Sequence, residues 1–312
     1  MKRLLVTGAS GLLGLNFLMQ AAGRYDLVGV LRRERLAPQA KAPFRPVYAD
    51  LTETHAIGRL LDETRPDAVI HCAAMTDVDY CETHAEEAAR INALVPEVLA
   101  QETCCRKIAL VHISTDAVFD GLAGNYCEND PPRPINVYAR TKLEGERRVM
   151  AAYPDAIVAR VNFYGWSWQG QRSLAEWFFN NLSQGIPVRG FTNLLFCPLH
   201  ANQMVEILLE MLNLNLHGLY HVVSSEAQSK YQFGRMLARQ FGFDETLIAP
   251  YDLQTGDLRA ARSRRLHLHC DKLAQALGHP LPGQAEAMHE FYELYRSGYV
   301  NTLRAMFERS ER

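Results

Sequence analysis

The chain has 312 residues, a formal net charge of −2, 22% charged and 48% hydrophobic residues. It is long enough to bury a large core, and its near-neutral balance excludes an electrostatic pull toward nucleic acid or an anionic membrane. Seven scattered cysteines without a Cys-x-x-Cys pair are expected to be free thiols in a cytoplasmic protein, and no apolar run reaches the ~18 residues needed to span a bilayer.

Residues 2–6 form an apolar strand that runs into Thr7-Gly8-Ala9-Ser10-Gly11-Leu12-Leu13-Gly14. Glycines let the backbone turn tightly and approach a pyrophosphate with no Cβ in the way, while the following helix aims free N–H groups at the phosphates. The spacing is Gly-x-x-Gly-x-x-Gly, and it predicts a dinucleotide site in which Gly14 sits where helix and strand press together. A second strand at 27–31 is followed by Arg32-Arg33-Glu34. Arg32 and Arg33 suit a ribose 2′-phosphate and favour NADP(H), whereas Glu34 suits a 2′-hydroxyl and keeps NAD(H) open.

Further short apolar runs at 45–49, 68–72, 108–113 and 156–161 alternate with helix-like segments. This order predicts an α/β fold with a Rossmann-type doubly wound parallel sheet. After Gly165 come an aromatic loop with Trp166 and Trp168, a helix around 176–182, strong helical periodicity over 199–212 and a strand near 220–223. The stretch Val300, Leu303, Met306, Phe307 repeats at helical spacing with Arg304, Glu308 and Arg309 opposite, which predicts a C-terminal amphipathic helix packed on its own lobe.

Chemistry is suggested by Tyr138-Ala139-Arg140-Thr141-Lys142, which places a phenol and an ammonium four residues apart on one helix face. A nearby cation favours a phenolate, so Lys142 is expected to lower the Tyr138 pKa. Upstream, residues 110–116 form an apolar strand ending in Ser114-Thr115-Asp116. A hydroxyl there suits the orientation of a substrate carbonyl while Tyr138 delivers the proton. His267, His269, Cys270 and Asp271 are four potential metal ligands in five residues, but no second cluster completes a set and no metal is expected.

Together these segments resemble the extended short-chain dehydrogenase/reductases, in particular the dTDP-4-dehydrorhamnose reductase branch, which also contains a non-catalytic methionine adenosyltransferase regulatory subunit. The resemblance runs through Thr7 to Gly14, Pro66 to Asp79, Ser114 to Gly121, Tyr138 to Glu146 and Gly218 to Val222. It implies a Rossmann domain over 1–160, rejoined by about 197–223, and a smaller α/β substrate lobe from 161–196 and 224–312. It implies Thr115, Tyr138 and Lys142 as catalytic residues. Cofactor contacts would come from Gly8, Ser10, Gly11, Leu12, Leu13, Gly14, Arg32, Arg33, Asp50, Leu51, Ala73, Ala74, Thr76, Tyr138 and Lys142. Substrate contacts would come from Thr76, Val78, Asp116, Ala117 and Phe163, and Asn92 would be architectural.

The implied activity is reduction of a nucleotide-linked keto sugar, with a homodimer left open. A regulatory subunit without turnover and an NAD-retaining epimerase or dehydratase are the alternatives. Ala117 stands where those reductases commonly carry Tyr, Phe163 replaces a Trp, and residues 191–198 lack an acidic residue often found there. The first departure predicts a wider, less polar pocket and a poor fit for dTDP-4-keto-rhamnose.

Overall fold

The computed structural model describes residues 1–254 and 259–308. Arg309, assigned above to the C-terminal helix, lies outside the described residues. Six strands in chain order, β1 (Arg3–Thr7), β2 (Asp26–Leu31), β3 (Arg45–Tyr48), β4 (Ala68–His71), β5 (Ala109–Thr115) and β6 (Ile157–Val161), join a seventh, Gly218–Val222, in one parallel sheet. The order across the sheet is Gly218–Val222, β6, β5, β4, β1, β2, β3. Such a sheet is covered on both faces, so its strands read as continuous apolar runs. In β1, Leu4 and Val6 enter one core while Leu5 enters the other. Pro46 sits in β3 at the sheet edge, where a missing ladder donor is tolerated.

Strand order reverses between β1 and β4, which opens a crevice beyond their carboxyl ends. Helix α1 (Leu12–Gln20) leads away from that crevice and buries Leu13, Leu15, Phe17 and Leu18 against the sheet. Each such side chain contributes about 1.5–3 kcal/mol on burial. The periodicity over 199–212 begins two residues later than expected, because Leu199 and His200 first pair in parallel with Phe163 and Tyr164, and the helix proper is Ala201–Asn213. His221 is buried, with Nδ1 3.0 Å from the His269 carbonyl.

The C-terminal helix is shorter than its periodicity suggested. It ends at Arg304, and Met306 and Phe307 are buried beyond it as the chain turns back onto the loop after β2. Phe307 bridges Leu36 in antiparallel fashion, the Ala37 amide donates to the Met306 carbonyl at 3.0 Å, and the Glu308 amide donates to the Arg35 carbonyl at 3.0 Å. Among the described residues no helix is long and apolar enough to cross a membrane.

Candidate active site

A cavity of about 660 Å³ occupies the crevice at the strand-order reversal. Its wall begins with the glycine turn. Gly8 has φ +67°, a conformation that side chains rarely adopt, and a Cβ on Gly14 would meet the Gly8 carbonyl oxygen at 2.3 Å. Gly11 caps α1 without a side-chain hydrogen bond, so the first N–H groups of the helix are free to meet an anion. Ser10, Gly11, Leu12 and Leu13 line the cavity beside Gly8 and Gly14.

Ala73 and Ala74 form part of the wall from the loop after β4, and the Ala73 amide donates to the Thr7 hydroxyl at 3.2 Å. Asn92 fixes this loop to the helix Val137–Ala152: Oδ1 accepts from the Met75 amide at 2.9 Å and Nδ2 donates to Thr141 Oγ1 at 3.1 Å. Asp50, Leu51 and Thr76 also line the cavity. The Asp50 carboxyl is held below its ordinary range, chiefly by the Thr52 hydroxyl, with burial opposing and the Arg32 and Arg90 charges assisting.

Three assigned residues do not line the cavity. Arg32 does, together with Glu34, whereas Arg33 is exposed beside the wall, close enough to Tyr80 for its charge to act on the phenol, which in turn donates to Glu87 of the cavity lining at 3.3 Å. Of the expected arginine pair, Arg32 lines the cavity, and Glu34 lines it too. Val78 starts the short Val78–Thr83 helix, capped by Asp77, and is not part of the wall. Ala117 lies in the turn Asp116–Val118 with its amide donating to the Thr115 hydroxyl at 3.2 Å, and it too is off the wall.

Thr115 ends β5, and the helix Val137–Ala152 starts at Asn136, whose Oδ1 accepts from the Ala139 amide at 2.8 Å. That helix stacks Tyr138, Lys142 and Glu146 at intervals of four. Thr115, Asp116, Tyr138, Lys142 and Phe163 all line the cavity, and the Thr115 hydroxyl is within hydrogen-bonding reach of the Tyr138 phenol. Burial pushes the phenol up to about 12, and the Asp116 charge adds to this. Lys142 does not act on the phenol as expected. Its ammonium donates to the Ile113 carbonyl at 2.7 Å, and burial brings its own pKa down to about 8, opposed by the Glu146 charge.

Behind these residues lies a polar cluster that the sequence did not reveal. Glu146 accepts from Ser114 Oγ at 2.5 Å and pairs with Arg160 through contacts of 2.8–3.2 Å, both charged side chains being 3% exposed. Gln169 and Arg172 also line the cavity and were also missed. The two tryptophans separate in role. Trp166 is buried and stacks on Phe291 at 4.1 Å, whereas the Trp168 indole donates to the Ser10 carbonyl at 2.9 Å. His267 and Cys270 join no group of three potential metal ligands among the described residues.

Asp116 makes a pH test of this geometry. Its Oδ2 accepts from Asn162 Nδ2 at 2.5 Å and its Oδ1 from the Thr115 hydroxyl at 3.2 Å. Burial nevertheless dominates and raises its pKa to about 6, with those bonds and the Lys230 charge opposing. Because the folded value exceeds the unfolded one, the ionised carboxylate destabilises the fold fully above about pH 6 and not at all below the ordinary carboxyl range near ~4. Asp116→Asn is expected to raise the unfolding midpoint near pH 8, with the gain vanishing near pH 4. Thermal unfolding of both proteins across this range checks it, and a gain that grows toward low pH would contradict it.

A family model described as the RmlD substrate binding domain matches residues 1–297. The "Probable low-salt glycan biosynthesis reductase" of Haloferax volcanii is 37% identical over 280 residues, which cover 88% of this chain and 91% of that one. The methionine adenosyltransferase 2 subunit beta of Danio rerio is 29% identical, with 87% of this chain and 84% of that one covered. The fold is also that of a Bacillus anthracis dTDP-4-dehydrorhamnose reductase solved in complex with NADP, at a TM-score of 0.81 and 23% identity, covering 94% of this chain and 99% of that one. By this match over nearly its whole length, the chain belongs to the RmlD substrate-binding-domain family.

Proposed function

We propose that the protein is an NADP(H)-dependent reductase that converts the carbonyl of a nucleotide-linked keto sugar to a hydroxyl. The observation that carries this reading is a single cavity lined both by Thr115, Tyr138 and Lys142 and by the glycine turn with Arg32. The reductases among its relatives support it. When bound, the dinucleotide supplies the hydride that reduces the carbonyl carbon. The turn from Gly8 to Gly14 holds the diphosphate through N–H groups at the start of α1, and Arg32 takes the 2′-phosphate.

Tyr138 gives its proton to the carbonyl oxygen, and a phenol held near 12 is reliably protonated at neutral pH. Thr115 turns its hydroxyl from Asp116 to the substrate oxygen. Lys142 keeps a positive charge beside the site and braces the end of β5 through the Ile113 carbonyl. Thr76, Asp116 and Phe163 flank the sugar.

Purified protein should consume NADPH with members of a panel of nucleotide-linked keto sugars, with one sugar reduced per cofactor oxidised. Tight cofactor binding without consumption across the panel would favour a regulatory role, the alternative that the methionine adenosyltransferase relative supports. Co-purified NAD with no net consumption would favour an epimerase.

A further inference from the structure

We infer that Arg172 is a further cofactor-binding residue, a guanidinium that grips the dinucleotide's diphosphate from the side opposite the glycine turn. The inference rests on the reading proposed above. Arg172 lines the same cavity as Ser10, Gly11 and Leu12, although it lies in a different part of the chain. Its segment runs along the turn and α1. Gly165 packs against Leu12, the Asn16 side chain donates to the Trp166 carbonyl at 2.9 Å, and the Trp168 indole donates to the Ser10 carbonyl.

The segment is also built to hold its shape. Glu176, fully buried, accepts from the amides of Ser167 at 2.7 Å, Arg172 at 2.7 Å and Ser173 at 3.2 Å, and from the Ser167 hydroxyl at 2.9 Å. These bonds fix the backbone on both sides of Arg172. The side chain stays exposed and forms no ion pair among the described residues. Its Nε donates to the Gln169 side-chain Oε1 at 2.8 Å, which leaves the two amino groups of the fork for a ligand. A guanidinium in the same cavity as the N–H groups at the start of α1, carried on a backbone that Glu176 holds, suits a diphosphate bound between them. A nucleotide sugar also carries a diphosphate, but the contacts of this segment run to the glycine turn and α1, which favours the cofactor.

The test titrates NADPH, NADH and dTDP against the intact protein and its Arg172→Ala, Arg172→Lys and Arg32→Ala variants. Arg172→Ala should weaken NADPH and NADH by the same factor, roughly 10- to 100-fold as for loss of a charge-assisted bond, and leave the preference between them unchanged. Arg172→Lys should recover part of the loss. Arg32→Ala should instead erode the preference for NADPH and spare NADH. An unchanged unfolding midpoint for Arg172→Ala would show that the loss is local. If Arg172→Ala binds NADPH and NADH as the parent does, the inference fails while the proposed function stands. If it weakens dTDP alone, Arg172 belongs to the substrate's nucleotide and the inference fails. If the parent protein binds neither dinucleotide, both readings fail.

Discussion

Tyr138→Phe is expected to abolish turnover while the cofactor still binds. The substitution removes only the phenolic oxygen at the end of a ring that lines the cavity beside Thr115. General acid catalysis contributes about 10²–10⁴-fold, so kcat should fall by that order. The cofactor's dissociation constant should change by no more than about twofold, because the lost interaction is made in the reaction and not in the binding of the dinucleotide. Steady-state rates and a binding titration on the same preparation check both halves. A variant that keeps most of its rate would move the proton donor elsewhere, and a variant that loses cofactor and rate together would make Tyr138 a binding residue.

The largest effect on stability should come from Glu146. Its carboxylate is buried between Arg160 and the Ser114 hydroxyl, so Glu146→Ala leaves a buried guanidinium with no counter-ion. Breaking one side of such a pair costs about 3–5 kcal/mol, most of it the desolvation of the abandoned charge. Arg160 also faces the Phe119 ring at 5.0 Å, which offsets little of that loss. Chemical denaturation should show this drop, with Glu146→Gln intermediate because the amide still offers an acceptor. The exposed Arg296–Glu293 contact provides the comparison, and removing Glu293 should change stability little. Equal losses at the two sites would mean that the buried cluster is solvated in solution. Lys142 lies one turn before Glu146, so Glu146→Ala should also weaken the ammonium's charge at neutral pH.

The features legible in the sequence were those encoded by local spacing. The glycine turn is a contiguous motif whose conformational demands fall on Gly8, Gly11 and Gly14 themselves, and the helix from Val137 sets Tyr138 and Lys142 on one face by periodicity alone. The alternating apolar runs gave six sheet strands within a residue or two of their ends. What escaped was assembled from distant segments. Arg160, near the end of β6, meets Glu146 only in the packed fold, and no spacing rule marks an arginine in an apolar strand as an ion-pair partner. Arg172 sits in an irregular loop whose shape depends on Glu176, a residue that in sequence reads as an ordinary first-turn glutamate. The C-terminal helix overran because Met306 and Phe307 keep the helical period whether the chain continues or folds back, and the Leu36 contact decides for folding back. Arg33 and Ala117 lie beside the cavity lining rather than in it for a related reason: a motif fixes the order of residues, whereas the direction of each side chain depends on the turn that carries it.

Deuterium transfer tests the central claim most directly. The protein is incubated with NADPH dideuterated at nicotinamide C4 and a nucleotide-linked keto sugar, and the sugar product is analysed by mass spectrometry and NMR. Reduction by this site predicts deuterium at the former carbonyl carbon, oxidised NADP released in equal amount, and no labelled product from Tyr138→Phe. Unlabelled sugar across the panel, with labelled NADPH recovered intact from a protein that binds it, would contradict the account.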